Sequence, residues 1–214
     1  LIHCLKEIFF DEIYRFETSN KTPIVIDCGA HIGMSILSFK QQYPNSTVIA
    51  FEPDLKNYTL LQKNIDQWGY NNIQAFQNPV WNANTEIIFE ASGAMGGKIS
   101  NELERNYNSL TLKALRLSDF LDKEIDFLKI DIEGAEYEVI KDCKSKLHFV
   151  RNLFVEFHST FEDQFKLTEI LNILNETGFN FYIKEANNVF PTPFTKKKIN
   201  TPFDLQLNIF AFRN

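Results

Sequence analysis

Residues 25–33 read V-I-D-C-G-A-H-I-G. An apolar run that ends in an acid and passes straight into a glycine turn, followed by helix-compatible sequence over 34–43, predicts a buried strand, a tight loop and a helix N-terminus. Such a junction is a ligand site. Glycine lets backbone come close to a ligand, and the unpaired N–H groups of a helix start face it. The acid narrows the ligand: a carboxylate beside a phosphate gains nothing, whereas a ribose diol and a cationic centre are both favoured by it. The dinucleotide fingerprint G-x-G-x-x-G is absent, because His31 and Met34 stand where its second and third glycines belong. On this spacing alone an ordinary strand-to-helix turn remains the alternative.

Three later runs repeat the pattern. Residues 48–53 read V-I-A-F-E-P, 126–136 read D-F-L-K-I-D-I-E-G-A-E, and 152–158 read N-L-F-V-E-F-H. Each is an apolar strand that ends in an acid or a histidine. One such end is a capped strand; four of them place polar groups along one edge of a parallel sheet, where open α/β sheets bind ligands. Glu52 then stands beside the first loop, where its carboxylate can accept both hydroxyls of a ribose.

The remaining chain fits one domain over 1–214, with an N-terminal helical part (1–20), a motif-bearing core (24–159) and a closing hairpin (178–214). Leu5, Ile8, Phe9, Ile13 and Phe16 have helical spacing, so 1–16 is expected to be an amphipathic helix on the domain, over the ligand. Asp54 is a candidate N-cap for a helix that buries Tyr58, Leu61, Ile65 and Trp68 and closes at Gly69. After a third strand (73–77), 86–91 and 110–114 read as two extra strands. They flank S-G-A-M-G-G-K-I-S (92–100), a loop of the kind that closes over active sites. Strands over 181–184 and 205–212 form the last hairpin.

Composition limits the partners. The chain has 214 residues, 44% of them hydrophobic, enough for a sizeable core. Its 22 basic and 28 acidic residues give a net charge of −6 without a basic stripe, which argues against nucleic acid. Cys4, Cys28 and Cys143 share no metal-ligand spacing and fit a reducing, cytoplasmic setting. No apolar stretch approaches the roughly 20 residues that span a bilayer. The sequence opens on Leu1 rather than Met, which leaves room for residues ahead of it.

Taken together, V-I-D-C-G-A-H-I-G, F-E-P, N-P-V-W-N (78–82), F-L-K-I-D-I-E-G-A-E and L-F-V-E-F-H resemble the FkbM-type family of S-adenosylmethionine-dependent methyltransferases. The resemblance implies the class I methyltransferase fold, a Rossmann-like α/β sandwich of three layers. Its seven-stranded sheet is mostly parallel with an antiparallel last strand. It also implies S-adenosylmethionine as methyl donor and, most often, O-methylation of a hydroxyl on a sugar or secondary metabolite. The cofactor-binding residues it implies are Asp27, Gly29, Ala30, His31, Gly33, Glu52 and Pro53, with Asn78 and Trp81 beside the adenine.

Methyl transfer from a sulfonium is an in-line displacement, so the protein must align the acceptor and remove its proton. Strand alternation puts Lys129 and Asp131 on one face, and a lysine within so apolar a strand must be paired with Asp131 or an acid on a neighbouring strand. Asp131 is expected nearest the reacting methyl, acting as general base without a metal, with Glu133 and His158 lining the acceptor pocket. Asp131, Glu156 and His158 also make an O/N set that could hold a divalent ion. Two other classes stay open: a methyltransferase acting on nitrogen or on a protein side chain, and a catalytically silent S-adenosylmethionine-binding module.

Overall fold

The computed structural model describes residues 2–90, 98–100 and 109–213. In chain order its first elements are α1 (Ile2–Phe9), β1 (Ile24–Cys28), α2 (Met34–Gln42), β2 (Thr47–Phe51), α3 (Leu55–Trp68) and β3 (Ile73–Phe76). Short strands follow: β4 (Val80–Trp81), β5 (Glu86–Glu90), β6 (Lys98–Ser100), β7 (Ser109–Lys113) and β8 (Leu115–Arg116). The last are β9 (Ile125–Ile130), α4 (Glu136–Cys143), β10 (Val150–Ser159), α5 (Phe165–Glu176), β11 (Asn180–Glu185) and β12 (Leu205–Phe212).

Seven strands form the main sheet in the order β11-β12-β10-β9-β1-β2-β3. β12 runs antiparallel to both neighbours, and the pairs from β10 through β3 are parallel. This is the sheet of a class I methyltransferase, as the resemblance implied. Period-two alternation sorts the core. Val25, Val48, Phe127 and Phe154 pack with Ile8, Ile36, Phe39 and Leu61 on the face covered by α1, α2 and α3. Ile26, Cys28, Leu128, Ile130 and Val155 face the other way, onto Val139 and Ile140 of α4 and Ile170 and Leu174 of α5. Strand order reverses between β1 and β9. At that switch point the loops after the two strands diverge and leave a crevice at their carboxyl ends.

Helix ends follow side-chain chemistry. Asp54 caps α3, accepting from the N–H groups of Lys56 and Asn57, and Gly69 closes the helix in the left-handed conformation. The N-terminal segment departs from its pattern. The helix expected over 1–16 stops at Phe9, because Glu12 turns left-handed (φ 50°) and breaks the ladder. Tyr14 and Phe16 are buried all the same, their rings packed edge-on or tilted against Phe39 and Phe127. The two extra strands are β5 and β7, which with β6 form a separate three-stranded antiparallel sheet. The glycine-rich loop expected over 92–100 lies outside the described residues, apart from the strand at 98–100. No helix among the described residues is long and apolar enough to cross a membrane.

Candidate active site

The turn after β1 is fixed from within. The N–H groups of Gly29 and Ala30 donate to the Phe51 carbonyl at 3.0 and 2.9 Å, that of Gly33 to Ala30 at 2.8 Å, and that of His31 to Glu52 Oε2 at 2.8 Å. These four N–H groups therefore serve the turn itself; the N–H groups of the α2 start, the ones expected to face a ligand, are not among them. Its glycines also serve the fold. A Cβ on Gly29 (φ 89°) would lie 1.9 Å from the Asp131 carbonyl oxygen, so the close approach it permits is to the end of β9. A Cβ on Gly33 (φ 93°) would meet Leu61 at 2.7 Å and Trp68 at 3.1 Å, so that glycine lets α3 pack on the turn.

Glu52 is buried and its two oxygens are divided. Oε2 accepts from His31 N and Oε1 from Asp54 N at 2.9 Å, and the Asn57 side chain also bonds to the carboxylate, which together hold it rigid. Burial pushes its pKa up to about 7 against the pull of those backbone donors.

Lys129, in the middle of β9, is 2% exposed and doubly paired: its Nζ lies 3.3 Å from Asp27 Oδ1 and 3.1 Å from Asp131 Oδ2, and donates to the Gly29 carbonyl at 3.0 Å. Burial alone would lower its pKa. The Asp131 and Asp27 carboxylates outweigh that and hold its pKa well above the ordinary lysine value. Asp27 also accepts from the Ser35 hydroxyl. Both partners suggested for the lysine thus share it, and the ammonium ties β1, its turn and the end of β9 together.

Most of these groups line one cleft that is open to solvent. Gly29, Ala30, His31, Glu52 and Pro53 stand along one part of its wall, and Lys129, Asp131 and Glu133 along another. Asp27, Gly33, Asn78 and Trp81, expected at the cofactor, lie outside the wall, and so does His158, expected with Glu133 at the acceptor. Asp27 faces Lys129 and Ser35 beneath the turn. Asn78 donates to the Lys113 carbonyl at 2.8 Å, which pins the link between β3 and β4 to the end of β7, and Trp81 packs against the core. The wall near them is made by Pro79 and Val80 instead, with Phe89 from the small sheet. Cys4, Ile8 and Tyr14 close the cleft from the N-terminal segment, and Tyr14 and Phe89 carry no sequence pattern that marks them.

Past Asp131 the polar groups continue onto β10. His158 is 5% exposed, with Nε2 3.3 Å from Glu156 Oε1 and 3.9 Å from Glu133 Oε2, and Nδ1 3.4 Å from Glu136 Oε1. Burial works against its charge, but Glu136 and Glu156 more than compensate and raise its pKa well above 6.5. Burial raises Asp131 too, opposed by Lys129, and lifts Glu133 to about 7, opposed by His158. Ligand atoms of Asp131, Glu156 and His158 lie within 4.8 Å of one another.

The sequence model of the family described as "Methyltransferase FkbM domain" matches residues 27–181. The chain belongs to the FkbM methyltransferase family. Curated relatives of this FkbM chain include Methyltransferase 1 of Beauveria bassiana, 28% identical over 160 residues that cover 64% of each chain. The 2-O-methyltransferase NoeI of Sinorhizobium fredii is 24% identical over 71% of each chain. The hexuronic acid methyltransferase AglP of Haloferax volcanii is 25% identical over 80% of this chain and 69% of its own. The crystal structure of methyltransferase FkbM from Methylobacillus flagellatus superposes with a TM-score of 0.62 at 17% identity, which speaks to the fold. The match takes in 97% of the FkbM chain described here and 47% of that crystal chain, so this chain spans about half its length.

Proposed function

We propose that this FkbM chain transfers a methyl group from S-adenosylmethionine to a hydroxyl of a sugar or secondary metabolite. One observation carries the reading: a single cleft has the rigidly held Glu52 carboxylate on one side and the Asp131–Glu133 pair on the other. The residues fit the cofactor. Glu52 can accept from both ribose hydroxyls, Ala30, Pro53, Val80 and Phe89 offer apolar wall, and Asp131 and Glu133 set negative charge where a sulfonium would sit. S-adenosylmethionine supplies an electrophilic methyl on a good leaving group.

The protein's own part is alignment and proton removal. Lys129 holds Asp131, the base expected from the sequence, in place, and Glu133, paired with no lysine among the described residues and raised to about 7, takes the hydroxyl proton in its stead. A hydroxyl acceptor accords with the similarity to the 2-O-methyltransferase NoeI, and a sugar acid with that to the hexuronic acid methyltransferase AglP. Nucleic acid is not the proposed acceptor, given the net charge of −6 and the acids around the cleft.

The test is transfer of labelled methyl from S-adenosylmethionine to a panel of glycosides and uronic acids. Asp131→Asn and Glu133→Gln are each expected to lower turnover about a hundred- to ten-thousandfold, with cofactor affinity nearly intact. Full activity in both variants would contradict the reading.

A further inference from the structure

Glu136, the first residue of α4, is fully buried and packs behind His158. Its carboxylate accepts from the N–H groups of Ile132 and Gly134 at 3.2 and 3.0 Å and from that of His158 at 3.4 Å. Its Oε1 also faces His158 Nδ1. A carboxylate fixed behind one ring nitrogen sets the imidazole's orientation and directs the other nitrogen forward, the arrangement that metal-ligating histidines use. His158 Nε2 is directed at Glu156, with Asp131 close by.

A second observation comes from β12. Asn208 stands directly across from Glu156 in the antiparallel register, and Gln206 directly across from His158, so both side chains share the face of the cluster. Asn208 is 5% exposed, yet its Oδ1 has no hydrogen-bond partner, and neither has the buried Oε1 of Gln206. Unpaired amide oxygens beside carboxylates are costly to bury unless something positive binds them. Acids also outnumber cations here, since Asp131, Glu133, Glu136 and Glu156 surround His158 and a Lys129 shared with Asp27.

We propose that Asp131, Glu156 and His158, with the Asn208 amide oxygen, bind a hard divalent cation, Mn2+ or Mg2+. Carboxylate and amide oxygens with one imidazole suit such an ion, and mutual spacings within 4.8 Å suit ligands around one centre. Resting on the methyl-transfer reading, the inference gives the acceptor hydroxyl a cation to bind beside Glu133, which lowers the hydroxyl's pKa.

The experiment is a calorimetric and electron paramagnetic resonance titration of the whole chain, stripped with chelator, using Mn2+ as probe. S-adenosylhomocysteine is titrated in parallel on the same sample. Wild type is expected to bind one Mn2+, Glu156→Gln to bind it at least about tenfold more weakly, and Asn208→Asp, which adds a charge, more tightly. The Asn208→Asp gain decides the matter if Glu156→Gln fails to fold. No Mn2+ bound at millimolar concentration, equal affinity in Glu156→Gln, or no gain in Asn208→Asp would overturn the cation site. A chain that binds S-adenosylhomocysteine but no Mn2+ loses only the cation, and one that binds Mn2+ but no S-adenosylhomocysteine loses only the methyltransferase reading.

Discussion

Gly29 and Gly69 both sit at positive φ, yet only one has a neighbour in the way. Alanine at Gly69 (φ 66°) meets open space and is expected to cost about 1–2 kcal/mol of backbone strain. Alanine at Gly29 adds a methyl 1.9 Å from the Asp131 carbonyl, so the ends of β1 and β9 must separate, and a larger loss is expected. Thermal melting of the two variants beside wild type checks this, and equal melting temperatures would show that the turn yields freely. Glu52 gives a pH dependence. Its folded pKa of about 7 lies above the ordinary 4.5, so the folded state holds the proton more tightly. The stability this contributes is fully present below about pH 4.5 and is lost as pH rises to about 7. Relative to Glu52→Gln, the ligand-free wild type is expected to lose about 3 kcal/mol across that window, read by urea unfolding at pH 5 and pH 8. Because a ribose diol is bound by the ionised carboxylate, cofactor affinity should climb over the same range.

At the scale of elements, β9 depends on one side chain. Lys129→Met would leave Asp27 and Asp131 as buried carboxylates without their cation and release the Gly29 carbonyl. A loss of about 3–5 kcal/mol in urea unfolding is expected, and unchanged stability would show that water or protons replace the lysine at little cost. This pairing was legible in the sequence, because an ammonium among Phe127, Leu128 and Ile130 has no tolerable state except a paired one. The α3 boundaries were legible for a like reason: Asp54 and Gly69 act through their nearest neighbours in the chain. α1 was not. Its apolar spacing continues to Phe16, but the left-handed Glu12 ends the helix, and Tyr14 reaches the core by a different path. Phe89 was hidden as well, since its place in the cleft depends on where the small β5–β6–β7 sheet packs. The turn after β1 could be located from sequence, but the partners of its N–H groups could not, because the Phe51 carbonyl and the Glu52 carboxylate arrive from β2.

Across the whole molecule, the strand order places the cleft. The reversal between β1 and β9 opens the crevice, β2 brings Glu52 to one side of it, and β9 with the segment after it brings Lys129, Asp131 and Glu133 to the other, with His158 of β10 beyond the wall next to Glu133. In a chain of net charge −6 with so acidic a cleft, labelled methyl is expected to enter hydroxylated small molecules and not RNA offered in the same assay. The most direct measurement is calorimetric titration of S-adenosylmethionine into wild type and Glu52→Ala. Wild type should bind, and the variant, which loses charge-assisted hydrogen bonds worth about 1.5–3 kcal/mol, should bind about ten- to a hundredfold more weakly. No binding to folded wild type, or equal affinity in the variant, would contradict the assignment of this cleft to the cofactor.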